Sequence, residues 1–564
     1  MEKLIYKIVS SKFKKRLVIA LVLLFLVLSV MMIPTKLVLA KMLPGKSANT
    51  FSIYVDTASN SSIKQTKKVT QCVVDILKEE KEVKNMEMYL GQGAPLDYAG
   101  LVKGSALKGL KNQAEIVVNL SDKHEREEAS YMMVHRIRPK IQAACGVEKE
   151  TSIRFIEMPS GPPTLATIVV IVYTKNVALQ RHVAQRVAAV LRDTEGLVDV
   201  DIMQDDIYTK FDIIPDEEKV IRSGLSVDQV NKILYLAFKG MKIAVKNSKN
   251  QQDQIPIFVR LTEESRTFSQ SSRDNLLLKL SALKLMNNKG MLVPVKEVVN
   301  IKKSHSSPMI SRKDLKDMVT VTAECDMVSQ VYPLLEARDL MIKRLSDEFN
   351  ITKSPGMSTF MFDLFLVDKK SKEEVHIQWD GEMKVSLDTF RDLGGAFIAA
   401  LVLMFLLMVV YYKSFALSGI VLVGSFLSII GVIAGHWVAD KLQLHLLNIH
   451  FFLTATSLIG FISLMGISAR SSLLLIDFTR SLMQKGVEKN RAIAIATATR
   501  SKPILLTAVA IILGSLLLAT DPIFGGLGVA LIFGSMAATL VSLFFIPVLM
   551  SNAKAMDVKK EQDD

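Results

Sequence analysis

The residues of chemical interest in this sequence are ionisable or hydroxyl side chains within or beside long apolar segments. Arg470 follows nearly twenty largely apolar residues, and Asp477 comes seven positions later. On a helix rising ~1.5 Å per residue, the two share one face about 10 Å apart. Arg500 stands just before another apolar segment, and Thr507 lies inside it. Ionisable residues at bilayer depth are costly and usually functional, so this set could support proton movement across a membrane.

Each of these residues also has a structural interpretation. Arg470 and Asp477 could extend their charges to the cytoplasmic headgroups, and a single intramembrane threonine such as Thr507 most often serves helix packing.

No Asp or Glu lies at the middle of any apolar segment. A proton-driven pump needs a group that gains and loses a proton near the bilayer core, normally a carboxylate. We therefore expect the chain to lack a complete proton relay of its own.

Six apolar segments are long enough to place these residues in a bilayer. The chain has 564 residues, 49% of them hydrophobic, and its mean hydropathy is +0.29. Runs of about 17 or more apolar residues predict membrane-spanning helices. The predicted spans are residues 17–33 and, within 392–550, residues 393–410, 416–434, 449–475, 504–519 and 527–550. The polar stretch 34–391 is too long to be a loop, so a purely cytosolic enzyme and a disordered protein are excluded.

Basic residues are distributed asymmetrically around these spans. The chain carries 70 Lys and Arg against 56 Asp and Glu, a net charge of +14. Basic residues concentrate in 1–16, 480–502 and the tail 551–564, whereas Lys441 is the only one between the third and fourth spans. The positive-inside rule then makes both termini cytoplasmic and 34–391 external. The charge indicates orientation in a lipid bilayer rather than nucleic-acid binding, since no basic-aromatic stripe accompanies it.

Two further sets of polar residues are interpreted as structural. The first set surrounds the external ends of the third and fourth spans: His436, Asp440, Lys441, His445 and His450. Its spacing matches no zinc motif, which favours a solvated loop. Cys72, Cys145 and Cys325 show no metal spacing and have an odd count, so no disulfide framework is implied. We expect Cys72 and Cys145 to pack in a core, and we predict no cofactor and no metal.

The external stretch alternates strands with amphipathic helices. Strands are predicted at 51–55, 86–90, 114–120 and 152–158, with helices at 69–77 and 125–145, a βαββαβ order typical of ferredoxin-like domains. A second round has strands at 167–173 and 198–203. An insertion of about 216–306 interrupts it before a strand at 319–323 and a helix at 331–349. Residues 378–391 are interpreted as an amphipathic approach to the second span.

Several segments resemble the resistance–nodulation–division (RND) efflux transporters. They are 456–461 (TSLIGF), 466–478 (GISARSSLLLIDF), 500–507 (RSKPILLT), 521–524 (DPIF), 195–201 (EGLVDVD), 379–382 (WDGE) and 389–392 (TFRD). The match spreads over nearly the whole chain but concerns only the C-terminal half of the family, whose full-length members look like two such units fused. It implies an α-helical membrane domain of six transmembrane helices and an α+β external domain. That domain would hold two ferredoxin-like porter subdomains with a docking insertion.

The resemblance also implies roles for the intramembrane residues. In the family, the helix matching 449–475 carries a basic residue, commonly Lys, that pairs with aspartates of the other half, and Arg470 occupies this position. Arg500 and Thr507 match supporting positions of the same relay. Because arginine does not deprotonate, relay through the proton of Arg470 itself is doubtful.

The function implied is the C-terminal half subunit of a proton-driven efflux permease exporting small amphiphilic or toxic molecules. A separate N-terminal half subunit would supply the proton-carrying aspartates. The trimeric assembly would sit in the inner membrane with a periplasmic adaptor protein and an outer-membrane channel. Two alternatives stay open: a homo-oligomeric half-transporter that uses Asp477 or no proton, and a non-transporting envelope scaffold or truncated relic. An enzyme is least favoured, since no nucleophile–base pair, metal cluster or phosphate loop occurs in a supporting context.

Overall fold

The computed structural model describes residues 1–43, 45–59, 61–147, 150–158, 161, 164–249, 254–266, 272–353, 362–447 and 449–556. The chain divides into two compact units, one formed by Met1–Met203 with Ser311–Asp564 and one formed by Gln204–Ile310. The second unit extends beyond the predicted insertion, 216–306, at both ends. Of the predicted cytoplasmic tail, 551–564, residues 557–564 lie outside the described residues.

The first αβ subdomain follows two helices, α1 (Glu2–Val9) and α2 (Lys12–Met31). Its elements are β1 (Thr50–Asp56), α3 (Ile63–Leu77), β2 (Val83–Leu90), α4 (Tyr98–Lys103), β3 (Gln113–Leu120), α5 (Ser130–Cys145) and β4 (Ser152–Ile156). The strands form an antiparallel sheet in the order β2-β3-β1-β4, which is the ferredoxin-like order. Alternate residues of β1 point inward, so that Ile53 and Val55 are fully buried beneath α3 and α5.

A disulfide joins the two helices of this subdomain. Cys72 of α3 and Cys145 of α5 are bonded, with their Cα atoms 5.8 Å apart. The expectation of two unbonded core cysteines was therefore wrong, because the fold brings together residues 73 positions apart in the sequence. Cys325 is a free, half-buried thiol, and burial raises its pKa well above the ordinary value, which keeps it protonated and unreactive.

The second αβ subdomain starts with β5 (Ile168–Tyr173), α6 (Val177–Arg192) and β6 (Leu197–Met203). The inserted unit comes next, with β7 (Thr209–Pro215), α7 (Glu217–Arg222), α8 (Val227–Leu234), β8 (Met241–Lys246), β9 (Ile255–Val259), α9 (Glu263–Arg266), α10 (Arg273–Ala282), β10 (Lys284–Met286), β11 (Leu292–Pro294) and β12 (Val299–His305). Within that unit, β7 pairs with β12, β8 with β9, and β10 with β11, all antiparallel.

The chain then returns to the second subdomain. The returning elements are β13 (Ser311–Lys313), β14 (Lys316–Cys325), α11 (Val331–Leu345), β15 (Phe349–Lys353), β16 (Leu364–Asp368) and β17 (Glu374–Asp380). The sheet runs β13-β14-β5-β17-β16-β15, and β6 also pairs with β14. Trp379 of β17 is fully buried in its core. The predicted amphipathic approach at 378–391 was wrong in its first residues, which end β17.

The membrane domain consists of the remaining helices. They are α12 (Glu382–Tyr412), α13 (Phe415–Phe426), α14 (Ile429–Leu447), α15 (Ala455–Gln484), α16 (Lys489–Ala519), α17 (Gly525–Leu540) and α18 (Ile546–Asn552). Among the described residues, five segments are long and apolar enough to cross a membrane: α12, α13 with α14, α15, α16, and α17 with α18. The first predicted span, 17–33, falls on α2, which has four basic residues among its first five and is not among the five segments.

Glycine allows the closest helix contacts of this domain. Gly431 and Gly435, one turn apart on α14, face Phe533 of α17 so closely that a Cβ atom at either position would collide with it. Small residues of this kind let helix backbones approach where apolar side chains alone give little driving force. The contact fixes α14 and α17 beside α15, the helix that carries Arg470 and Asp477.

Candidate functional site

Arg470 lies on an exposed face of α15. It is fifteen residues from the start of the helix at Ala455, or about 22 Å along its axis. This distance is shorter than the thickness of a hydrocarbon core, about 30 Å. Within the described ranges, Arg470 makes no ion pair. A guanidinium inside a membrane is costly unless it pairs with an opposite charge, contacts backbone carbonyls or reaches the headgroups.

Asp477 is held at the opposite end of α15 from the αβ subdomains. The Tyr411 hydroxyl, near the end of α12, donates to the Asp477 carboxylate over 3.2 Å. The neighbouring Tyr412 hydroxyl donates to the Leu473 carbonyl over 3.3 Å. The two tyrosines therefore attach the end of α12 to α15, and they give Asp477 a hydrogen-bond donor other than Arg470.

Arg500 and Thr507 occupy two different environments on α16. The Arg500 guanidinium stacks over the Phe478 ring, 5.1 Å from its centroid, so it lies beside the Asp477 end of α15. The exposed Thr507 hydroxyl donates to the Pro503 carbonyl of its own helix over 2.9 Å. The structure thus groups Arg500 with the Asp477 region but does not bring the four predicted residues together.

A small cavity lies between α15, α16 and α17. Its volume is about 20 Å³, enough for one water molecule. Its lining includes the hydroxyl residues Ser468, Ser471, Thr507, Ser535, Thr539 and Ser542. Ser468 is buried, and its hydroxyl has no hydrogen-bond partner among the described residues. Of the lining residues, Thr507 alone was singled out from the sequence, because serines on an apolar helix resemble packing residues.

Two membrane helices leave most of their surface open. In the most apolar 18-residue stretch of each segment, only 6% of α12 and 11% of α16 is buried. The corresponding share is 50–61% for the other three segments. Leu506 and Leu517 of α16 are 73% and 84% exposed. The open surface of α16 includes Thr507, and the adjoining helix α15 exposes Arg470. Lipid or another protein must cover this surface in a membrane.

Two members of the cluster predicted to form a solvated loop are instead buried in the helix α14, so that prediction was wrong for His436 and Asp440, whereas Lys441, His445 and His450 are exposed. α14 continues to Leu447, and His436 and Asp440 are 0% and 4% exposed. His436 Nδ1 donates to the Val432 carbonyl over 2.7 Å. Its Nε2 then accepts the Ser457 hydroxyl of α15 over 2.8 Å. The histidine therefore joins α14 to α15, which hydropathy alone cannot reveal.

Replacing His436 with leucine is expected to destabilise the membrane domain by about 0.5–1.5 kcal/mol, because the buried hydrogen bond between His436 and Ser457 is lost. Thermal unfolding in detergent should show a lower midpoint for His436→Leu. The same change at His445, which is exposed on α14, is the matched control and should leave the midpoint unchanged. Equal midpoints for the two variants would contradict a bonded role for His436.

Buried ion pairs connect the two αβ subdomains. Arg138 of α5 contacts Asp199 of β6 at 3.3 Å and Asp326 at 2.8 Å. Lys103 of α4 lies 2.6 Å from Glu324 of β14. Arg154 of β4 makes two further contacts, with Asp56 of its own subdomain and Asp201 of the other. Sequence reasoning missed these pairs, since their members are far apart along the chain.

A cleft lies between the same subdomains. Its volume is about 550 Å³, and its lining includes Glu150, Arg154, Arg192 and Asp199. Cavities of a few hundred Å³ or more accommodate small organic ligands. Charges of both signs therefore face a space large enough for a small molecule.

Glu157, which follows β4, has an unusual protonation equilibrium. Burial raises the pKa of its carboxyl to about 7; Arg138 lowers it, and Glu324 and Asp326 raise it further. Because the folded state binds this proton more tightly than the unfolded state, stability falls as the pH rises. The contribution of Glu157 is complete below about pH 4.5 and is lost as the pH rises through about 7.

Wild-type protein is therefore expected to lose up to about 3 kcal/mol of stability between pH 4.5 and a pH above 7 through Glu157. Thermal unfolding across this range tests the expectation, with Glu157→Gln as the comparison. The glutamine variant should show a weaker fall in midpoint. Parallel pH profiles for the two proteins would show that Glu157 does not titrate in this range.

A short strap connects the membrane domain to the second αβ subdomain. The Leu453 amide donates to the Leu39 carbonyl over 2.8 Å, and the Lys41 amide donates to the Leu453 carbonyl over 3.0 Å. On its other side, the Ala40 carbonyl accepts the Ser329 hydroxyl. Residues 39–41 thus bridge the start of α15 and the start of α11.

Comparisons with known proteins agree with this architecture. The model of the AcrB/AcrD/AcrF family matches residues 2–346 and 366–553. Swarming motility protein SwrC of Bacillus subtilis is 22% identical over 520 residues, which cover 90% of this chain and 43% of SwrC. Nickel and cobalt resistance protein CnrA of Cupriavidus metallidurans is 26% identical over 436 residues, covering 74% of this chain and 36% of CnrA.

Multidrug resistance protein MdtC of Yersinia pestis is 21% identical over 447 residues, covering 78% of this chain and 39% of MdtC. A crystal structure of a heavy metal efflux pump has the same fold, with a TM-score of 0.71 and 18% identity over 97% of this chain and 51% of the pump. The chain thus spans less than half the length of these curated relatives. Because the family model matches nearly all of it, the chain belongs to the AcrB/AcrD/AcrF family of resistance–nodulation–division efflux permeases.

Proposed function

We propose that this chain is the C-terminal six-helix unit of a proton-driven RND efflux permease, and that a second six-helix unit completes its proton relay. The observation that carries the proposal is Arg470, a cation on an open face of α15 with no carboxylate partner among the described residues. A charge at bilayer depth is retained when it pairs with an opposite charge. An aspartate of the second unit is the partner we propose.

The sixth span of the unit is proposed to be α2. Basic residues occupy its first turns, Lys12 to Arg16, as expected at the cytoplasmic end of a span. Leu26 packs against the membrane core, and the Ser29 hydroxyl approaches the Ile430 carbonyl at 3.5 Å. The exposed leucines of α2, among them Leu23 and Leu24, suit a lipid environment. Both termini are then cytoplasmic, and the αβ subdomains are periplasmic.

The proposed cycle couples protonation to the αβ subdomains. A proton taken up by the partner carboxylate removes its attraction to Arg470, which shifts the equilibrium between positions of α15. Two connections carry such a shift outward: the strap through Leu453 and Ala40, and the continuous helix α12 from Tyr411 to the second subdomain. The cleft between the subdomains would open or close as the ion pairs of Arg138 exchange partners.

The proposed cargo is a small amphiphilic or toxic molecule that passes through this cleft. The names of the relatives include both metal resistance and multidrug resistance, and the mixed charges of the cleft are compatible with either class. The proposed assembly is a trimer in the inner membrane that works with a periplasmic adaptor protein and an outer-membrane channel. The proton motive force is its energy source, with no bound cofactor.

Purification of the tagged chain from native membranes tests the two-unit proposal. A polypeptide segment with six spans and an intramembrane aspartate should accompany the chain in stoichiometric amount. The purified material should also transport after reconstitution. Recovery of this 564-residue chain without a second six-helix unit, in a form that transports, would overturn the proposal.

A further inference from the structure

The first helix of the chain is amphipathic and presents two lysines outward. Ile5 and Val9 of α1 are fully buried in the membrane-domain core, where the cytoplasmic half of α16 also packs. Lys3 and Lys7, one turn apart on the opposite face, are exposed. Leu4 and Tyr6, on the two flanks, are 50% and 42% exposed. A helix of this kind suits the boundary between headgroups and acyl chains.

The adjoining start of α2 continues this surface. Lys12 and Arg16 are exposed one turn apart, and Phe13 beside them is 75% exposed. We use the name α1–α2 surface for its exposed residues: Lys3, Leu4, Tyr6, Lys7, Lys12, Phe13 and Arg16. Lys15, facing inward, donates to the Ser551 hydroxyl over 2.7 Å, which attaches the surface to the end of α18.

The charges of the α1–α2 surface lack anionic partners. Residues 1–16 contain six basic residues and one acidic residue, Glu2. Lys3, Lys7, Lys12 and Arg16 form no ion pair with any residue that the structure describes. The α1–α2 surface is therefore charge-complementary to an anionic partner.

We propose that the α1–α2 surface binds the headgroups of anionic phospholipids in the leaflet that surrounds the start of α2. The apolar part of α2 begins at Leu17, directly after the cations, so the cations lie at headgroup depth. Lys and Arg pair with phosphate oxygens, while Leu4, Tyr6 and Phe13 insert among acyl chains. Both features on one surface favour a lipid over soluble phosphate or an acidic protein. The inference rests on the proposed span α2, but not on proton coupling or on the second unit.

Fluorescence quenching by brominated lipid tests this proposal with the full-length protein in vesicles. Tyr6→Trp introduces a fluorophore on the α1–α2 surface. The fluorescence of unmodified protein, which contains Trp379 and Trp437, is subtracted from that of the Tyr6→Trp variant. The difference is the signal of the tryptophan at position 6. Vesicles of phosphatidylglycerol and phosphatidylcholine at fixed ratio carry bromine on one lipid or on the other. We expect phosphatidylglycerol to be enriched about fivefold or more near residue 6, and the enrichment to fall in high salt.

Lys3→Gln with Lys7→Gln should lower the enrichment at least about twofold, because two of the four exposed cations are removed, while Lys12, Lys14, Lys15 and Arg16 preserve membrane orientation. Lys67→Gln with Lys68→Gln, two exposed lysines of the first αβ subdomain, is the matched control and should leave it unchanged. Inorganic phosphate should not displace the lipid at constant ionic strength. Equal quenching by the two lipids, enrichment left unchanged by Lys3→Gln with Lys7→Gln, or displacement by inorganic phosphate would overturn the proposal. A full-length protein that enriches phosphatidylglycerol but does not transport would support the lipid-binding proposal and count against the proposed function alone.

Discussion

Replacing Arg470 with methionine is expected to abolish proton-coupled efflux while the chain still folds and inserts. Methionine keeps much of the length of the side chain and removes its charge. Breaking a desolvated ion pair costs about 3–5 kcal/mol, and the proposed partner carboxylate would then stay protonated throughout the cycle. We expect transport to fall about 100-fold or more. Accumulation of Ni²⁺ and of a fluorescent amphiphilic dye, in cells lacking the native chain, measures the loss for both cargo classes.

Two variants control this experiment. Arg470→Lys retains the positive charge but loses the planar guanidinium group that can form two hydrogen bonds to one carboxylate, so partial activity is expected. Asp477→Asn keeps an acceptor for the Tyr411 hydroxyl and should have a mild effect. The reverse pattern, with an inactive Asp477→Asn and an active Arg470→Met, would favour a homo-oligomeric transporter that runs on Asp477. Unchanged efflux in every variant would favour a scaffold without transport activity.

Removing the Cys72–Cys145 disulfide is expected to destabilise the first αβ subdomain by about 4 kcal/mol. The bond closes a loop with a sequence separation of 73 residues, and the loss of chain entropy in the unfolded state grows with loop length. Cys72→Ser, Cys145→Ser and the double variant should lower the unfolding midpoint by similar amounts. Limited proteolysis of the same variants should report earlier cleavage within residues 50–156.

Cys325→Ser is the matched control, because this half-buried cysteine is unbonded and its loss should change stability little. Alkylation of unfolded protein with a mass-adding maleimide should label one thiol before reduction and three after it. Disulfides form and persist in oxidising compartments, so this result would also support a periplasmic first subdomain. Three labelled thiols without reduction would contradict the bond.

The sequence was most informative where physics acts locally. Long apolar runs predict membrane spans, and the helices α12 and α16 cover the predicted segments 393–410 and 504–519. The helix α15 begins six residues after the predicted start at 449 and continues nine residues beyond the predicted end at 475. Strand alternation placed β1 at 51–55, within one residue of the observed Thr50–Asp56. Arg470 was recognisable because a charge inside an apolar run contradicts its surroundings.

The sequence was least informative where partners lie far apart in it. Nothing in the sequence around Cys72 indicates its disulfide bond with Cys145, and nothing around Arg138 indicates its ion pair with Asp199. His436 was assigned to solvent, since its acceptor role depends on the close contact of α14 with α15. The strands β15 to β17 were missed for a similar reason: they are short, and pairing with β5 rather than local pattern stabilises β17. Which residues cover the open face of α16 is likewise not encoded in this chain alone.

The central claim is that a second six-helix unit lies against this face, and photo-crosslinking tests it most directly. A photoreactive phenylalanine analogue at Leu506, next to Thr507 and 73% exposed, is activated in native membranes, and the crosslinked peptides are identified by mass spectrometry. We predict crosslinks to a transmembrane helix that carries an aspartate and belongs to a different six-helix unit. Crosslinks confined to lipid or to residues of this unit would contradict the claim.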